Sequence, residues 1–357
     1  MNAERNLQGY ISAIVSGAVG AFVFYLLHMP LPWMLGSLLG ALIASNTPGI
    51  HIVSPTKLAS PVRIVLGVAI GSAFTPALLD DVGKYLLSLL LLLPFLVVII
   101  WTGMLYFQKI AGFERQTAFF CALPGGLIEL ALICESYGAD MRRVVLIQTT
   151  RVLLIVYTVP FAIHHMTDVD LSGRTRMAAP LNVFPLDEGM ILASAAVVGW
   201  WLMHRMRLPG ASIVGPMLCS ALVYTLGWAT VRVPDELVNV AQLILGTSIG
   251  CAFMNISLRE ITRAVAITLG YFVVLMAMAM GMAIGVHLLT GTPLIATVLA
   301  YIPGGQAEMS VISLIVGVAI PFIALHHALR LILVMTVAPP LSALLLASSE
   351  SSPKKTN

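Results

Sequence analysis

Charge is what this sequence has least of. Only 10% of its 357 residues are Asp, Glu, Lys or Arg, against about 25% in a soluble domain. A soluble globule of this size needs a polar surface, so the shortage excludes one. No basic tract is present either: Lys and Arg fall in short loops, which leaves no electrostatic footprint for nucleic acid. Cysteine is scarce. Cys121, Cys134, Cys219 and Cys251 each lie in an apolar stretch without a CxxC pair, and they read as small core residues. No HxxxH or ExxH falls within an apolar segment. The clustered donors that copper or iron would need are therefore missing, and no metal or other cofactor is expected. Nor is the pattern of a cleavable leader the one expected at the start of this sequence. The first apolar run continues into Pro30, Pro32 and another apolar segment, so it reads as a retained span.

What is present is apolar length. Hydrophobic residues make up 59% of the chain, the mean hydropathy is +0.97, and the partner these imply is the lipid bilayer, which takes spans of about 20 residues. Twelve apolar segments can be traced, at roughly 10–27, 31–46, 58–79, 85–108, 116–136, 144–165, 187–203, 211–230, 237–256, 264–288, 294–317 and 320–347. The expected fold is all-α, a polytopic membrane protein.

The chain also repeats itself. At an offset of 179 positions, LGVAIGSAF (66–74) falls on LGTSIGCAF (245–253) and PGGLIE (124–129) on PGGQAE (303–308). Arg151 falls on Arg330 and Pro160 on Pro339 at the same offset. The organisation that follows is a first membrane repeat over 1–166, a connecting loop over 167–186, a second repeat over 187–348 and a polar tail over 349–357.

The fifth segment of each repeat carries Pro-Gly-Gly in its middle: Pro124, Gly125, Gly126 and Pro303, Gly304, Gly305. Each limb of eight or nine residues reaches about 12–14 Å, half the hydrocarbon thickness. Proline removes a backbone donor and glycine adds no stiffness. Such a segment crosses as a broken helix or enters and returns as a hairpin, and loop charge chooses between them. Setting aside Arg63, Arg151 and Arg330 within spans leaves sixteen of the nineteen Lys and Arg. If all twelve segments cross, they divide nine to seven. If the Pro-Gly-Gly segments re-enter, twelve lie inside and only Lys84, Arg174, Arg176 and Arg232 outside. The hairpin is therefore expected, giving two inverted-topology repeats of five transmembrane helices plus one re-entrant hairpin each. The hairpins would meet near the midplane, as in many secondary transporters.

Glu129 and Glu308 follow the two glycine pairs, where an ionisable group is costly and is a functional candidate. Arg151 and Arg330 lie near the middle of the last span of each repeat, 22 residues after those acids. Each arginine either pairs with its glutamate and fixes the hairpin or binds a substrate carboxylate or phosphonate. Gln148 and His327 occupy equivalent positions one turn earlier. Adjacent histidines point about 100° apart on a helix, so His326-His327 reads as an interfacial or proton-relay pair. Gly67, Gly71, Gly246 and Gly250, at GxxxG spacing, read as close helix packing, and the glycine-rich spans make a homodimer an expectation. Asp140 reads as a loop cap or an arginine partner.

With PGGLIE, YGAD (137–140), Arg142, Gln148, Arg151 and the second Pro-Gly-Gly with Glu308 and Arg330, the chain resembles the AbrB family of bacterial inner-membrane proteins over nearly its whole length. The resemblance implies a duplicated, multi-pass protein of the bacterial inner membrane. Some members carry an ammonia monooxygenase label and others are linked to regulation of gene expression. The family shares its name with an unrelated small DNA-binding regulator, which this sequence does not resemble. In architecture the chain is also similar to the glutamate–sodium and citrate–sodium symporters. The leading expectation is a non-enzymatic secondary transporter of a small anionic solute, coupled to H+ or Na+, with a cytoplasmic N-terminus. Glu129 and Glu308 would serve as proton or cation sites. A membrane sensor acting on gene expression is the alternative, and a membrane monooxygenase a weaker one.

Overall fold

The structure, a computed structural model, describes residues 2–75, 82–125, 130, 133–166, 171, 178, 180–254 and 256–350. Among these residues every regular element is a helix. The first half contains α1 (Asn2–Leu26), a π-helical turn (Pro32–Gly36) leading into α2 (Ser37–Ser45), α3 (Thr56–Gly71), α4 (Val82–Lys109), α5 (Arg115–Ala122) and α6 (Met141–Met166). The second half contains α7 (Leu186–Arg205), α8 (Val214–Thr225), α9 (Asp235–Gly250), α10 (Leu258–Thr290), α11 (Leu294–Tyr301), α12 (Gln306–Val316) and α13 (Ile320–Glu350).

Seven of these helices are long and apolar enough to cross a bilayer, namely α1, α4, α6, α7, α9, α10 and α13. Their outward residues are apolar: Ile11, Val15 and Val19 on α1, Leu90, Val97 and Trp101 on α4, and Val273, Met280 and Ile284 on α10 are all exposed. Outward apolar faces of this kind suit lipid and not water. Two segments expected as full spans are shorter. Pro32–Ser45 and Val214–Thr225 reach only about 21 Å and 18 Å at 1.5 Å per residue. The chain turns sharply before each of them. His28 and Leu31 adopt positive φ of 56° and 48°, and Arg207 and Gly210 adopt 55° and 74°.

Small residues let the helices of the two halves touch backbone to backbone. A Cβ on Gly67 would strike Ile213 O and one on Gly71 would strike Met217 O, so α3 lies directly against α8. A Cβ on Gly246 would strike Met34 O and one on Gly250 would strike Leu38 O, so α9 lies against the π-turn and α2. Each pair of contacts is the other shifted by 179 positions. Within each half the same holds: Gly20 abuts Gly36, and Gly199 abuts Gly215. The GxxxG spacing is thus used for close packing between the halves.

The longest helix, α10, begins with a capping box. The Glu260 amide donates to Ser257 Oγ (3.3 Å) and the Ser257 amide to Glu260 Oε2 (3.1 Å). Two of the four orphan amides of the first turn are satisfied this way.

Candidate functional site

Both Pro-Gly-Gly segments interrupt their helices. α5 ends at Ala122, and Leu123 leaves in an extended conformation (ψ 127°). α11 ends at Tyr301, and Ile302 leaves in the same way (ψ 123°). In an unbroken helix Phe120 O would accept from residue 124 and Leu299 O from residue 303. Both positions are proline, which has no donor.

Side chains from the following long helix supply what the prolines lack. Gln148 Nε2 donates to Phe120 O (2.8 Å) and Leu123 O (3.0 Å). Arg151 Nη1 donates to Leu123 O (3.2 Å) and its Nη2 to Gln148 Oε1 (2.6 Å). At the second break His327 Nε2 donates to Leu299 O (2.9 Å), and Arg330 Nη1 to Ile302 O (3.0 Å). Arg330 Nη2 reaches Gly304 O (2.6 Å) and His327 Nδ1 (2.7 Å). A guanidinium only donates, so Nδ1 is the acceptor and His327 carries its single proton on Nε2. Three contacts recur at a spacing of 179: to Phe120 O and Leu299 O, to Leu123 O and Ile302 O, and between each arginine and its neighbour one turn earlier. Histidine stands where the first clamp has glutamine. Gln148 alone also reaches the second carbonyl, and Arg330 alone reaches Gly304 O.

Of the two roles expected for the arginines, neither is what Arg330 does in this arrangement. It holds its broken segment through backbone carbonyls, and among the described residues no ion pair joins it to Glu308. The reason is local: a helix end leaves carbonyls without partners, and buried ones each cost about 1–3 kcal/mol unless met. Glu129, with Gly126, lies outside the described residues.

Glu308 sits in the first turn of α12, buried at 8% exposure. Its carboxylate folds back over Gly305, where any Cβ would collide with Oε2. A Cβ on Gly304 would meet Met309 Cγ at 2.8 Å, whereas one on Gly125 would meet Met335 Cε at 2.7 Å, the tip of a flexible side chain that can give way.

A cavity of about 340 Å³ lies between the two breaks. Pro124 and Gly125 line one side, and Gly304, Gly305 and Glu308 the other, with His327 and Arg330 on the same wall. Pro303, Gln148 and Arg151 stand outside the lining, the last two buried behind it. Much of the lining was not anticipated, and three of its polar residues bear on the chemistry. Arg63 from α3 is the charge within a span noted above. Gln306, at the start of α12, has both amide atoms buried without a partner, and Ser54 Oγ is in the same state. The legible signal was Arg63 itself, an arginine in an apolar segment. Nothing in the sequence marks Gln306 or Ser54.

Other expectations find places around this centre. His326 points away from His327: its Nε2 meets Ser88 Oγ (2.8 Å) and its Nδ1 meets Phe322 O (2.7 Å). Tyr301, the last residue of α11, donates to Ser88 O (2.6 Å), so this buried network ties α4, α11 and α13 together. Asp140 is both cap and arginine partner. Its Oδ1 accepts from the Arg143 amide (3.1 Å) and its Oδ2 pairs with Arg143 Nε (2.9 Å). Among the described residues no group of three or more His, Cys, Asp or Glu comes together as a metal site would require. A second, open basin of about 950 Å³ is lined by Trp200, His204, Arg205 and Arg207 and shares Gly210 and Ser212 with the central cavity.

Comparison with known proteins adds the family. The chain is 27% identical to "Uncharacterized protein YhjN" of Bacillus subtilis (strain 168), over 97% of this chain and 95% of the relative. It is 24% identical to "Putative regulator AbrB" of Escherichia coli (strain K12), over 89% and 91% respectively. Residues 7–346 match the family model described as "Transition state regulatory protein AbrB". Covering nearly the full length, this match makes the chain a member of the AbrB family.

Proposed function

We propose that this protein is a secondary carrier that moves a small anionic solute across a bacterial inner membrane by alternating access, coupled to H+ or Na+. The supporting observation is the single cavity bounded by both Pro-Gly-Gly breaks, with Glu308, Arg63, His327 and Arg330 on its wall. Irregular backbone at membrane depth is tolerated where it lines an aqueous cavity or is buried in protein, and carriers place their sites at such breaks. On this reading the two halves are inverted repeats, the broken segments are re-entrant hairpins, and the N-terminus is cytoplasmic. The open basin beside Arg205 and Arg207 then faces the cytoplasm and is divided from the cavity by the turn around Gly210.

Purified protein in liposomes, given an imposed gradient of candidate anions and of protons or sodium, tests this. Uptake that depends on the ion gradient is expected, and Glu308→Gln is expected to abolish the coupling. A protein that binds anions yet never moves them across the bilayer would fit the second reading, a membrane sensor. The regulator names of the family description and of the Escherichia coli relative favour that reading.

A further inference from the structure

Three arginines lie near the centre of the fold, and two of them are already engaged. Arg151 and Arg330 direct their Nη donors to carbonyls of the broken segments and to Gln148 and His327. Arg63 is different. It stands halfway along α3, half-buried at the cavity wall, and among the described residues no hydrogen bond or ion pair engages it. A guanidinium at such a place is costly unless something meets it. On the same wall, the Gln306 amide and the Ser54 hydroxyl are buried and unpartnered. The N-terminus of the eleven-residue helix α12 opens there too, with no side-chain cap. A guanidinium fork, an amide N–H, a hydroxyl and a helix N-terminus all donate, so the set fits an anion. Leu245, Ile249 and Leu331 supply an apolar wall for a short carbon chain.

Glu308 occupies the same positive region. Its carboxylate lies over the start of α12, and the Arg63 charge acts on it. The charged or titratable groups around it are Arg63 from α3, His327 and Arg330 from α13, and Cys251 on the far wall; Arg151 from α6 acts on Arg330 from behind. With His327 held neutral by Arg330, Arg63 is the only unengaged cation of the lining among the described residues. A ligand anion and an ionised Glu308 would then compete for it, since like charges in one site do not both ionise readily.

We propose that this cavity binds a small monocarboxylate on Arg63 beside the start of α12, and that Glu308 takes up a proton when the anion binds. Protonation removes the charge that competes with the anion for Arg63, and by reciprocity a bound anion favours the proton. The site is one-sided, because the position 179 residues on from Arg63 is the buried, neutral Gln242. As an account of coupling this rests on the carrier reading, whereas the binding itself does not.

The test is thermal stabilisation of the purified full-length protein by acetate, pyruvate and succinate, titrated between acid and neutral pH. Ligands that bind only the folded state raise the melting temperature by mass action. Acetate or pyruvate should stabilise the wild type, with affinity falling up to about tenfold per pH unit as Glu308 ionises. Arg63→Gln should lose the stabilisation and Arg63→Lys should weaken it, since an ammonium lacks the fork. Glu308→Gln should keep the stabilisation and lose its pH dependence. The proposal is overturned if no monocarboxylate stabilises the wild type, or if Arg63→Gln or Arg63→Lys retains full stabilisation. Persistence of the pH dependence in Glu308→Gln would also overturn it. Liposome assays separate this from the carrier reading: binding on Arg63 without flux sinks only the carrier, and flux that survives in Arg63→Gln sinks only the Arg63 site.

Discussion

At Gly305 the side chain is a hydrogen because the Glu308 carboxylate fills the space a methyl would need. Gly305→Ala is therefore expected to push Glu308 off the start of α12 and to lower stability by about 1–3 kcal/mol, the usual cost of overpacking a tight site. A thermal melt checks this, and an unchanged melting temperature would mean that Glu308 moves aside without penalty. Arg330 carries a different burden. Arg330→Ala strands Gly304 O, at about 1–3 kcal/mol for a buried group left unmet, and leaves Ile302 O with only the Gly304 amide as its donor (2.8 Å). Arg330→Lys should fall between wild type and alanine, because one ammonium cannot reproduce a fork to two carbonyls. A lysine variant as stable as wild type would argue against the clamp.

At the scale of elements, proline decides where the fifth segment of each half breaks, and the next long helix decides how the break is held. The first part was legible in the sequence. Pro124 and Pro303 in apolar segments announce a missing donor, and the missing donor is the one Phe120 O and Leu299 O would have used. The second part was legible only as a coincidence of spacing between Gln148 and His327. The clamp makes a sharp prediction from that coincidence. His327→Gln installs at the second break what the first already has, so stability should stay within about 1 kcal/mol of wild type, the net worth of a single hydrogen bond. His327→Leu leaves Leu299 O bare and should cost about 1–3 kcal/mol. Melting both variants side by side distinguishes a donor requirement from a need for the imidazole itself.

Across the whole molecule, reciprocal contacts such as Gly67 to Ile213 and Gly246 to Met34 lock the halves together through backbone. The charge bias in the loops adds an expectation about sidedness. With the native cysteines replaced, single cysteines at positions 115 and 142 should be labelled from the same face of the membrane, and one at position 84 from the opposite face. Labelling of 115 and 142 from opposite faces would make the first Pro-Gly-Gly segment a crossing and not a hairpin.

The sequence by itself determined the solvent, the helical class, the duplication and the two break points. These depend on hydropathy, spacing and the covalent nature of proline, all of which are local to the chain. The destination of each charge was settled only by the tertiary structure. An arginine in an apolar span must find partners, but which ones it finds depends on orientation and distance across helices far apart in sequence. Arg151 and Arg330 read equally as glutamate partners or as ligand contacts and are engaged by carbonyls, while Arg63, counted only as a charge within a span, stands at the cavity wall with no hydrogen bond or ion pair among the described residues.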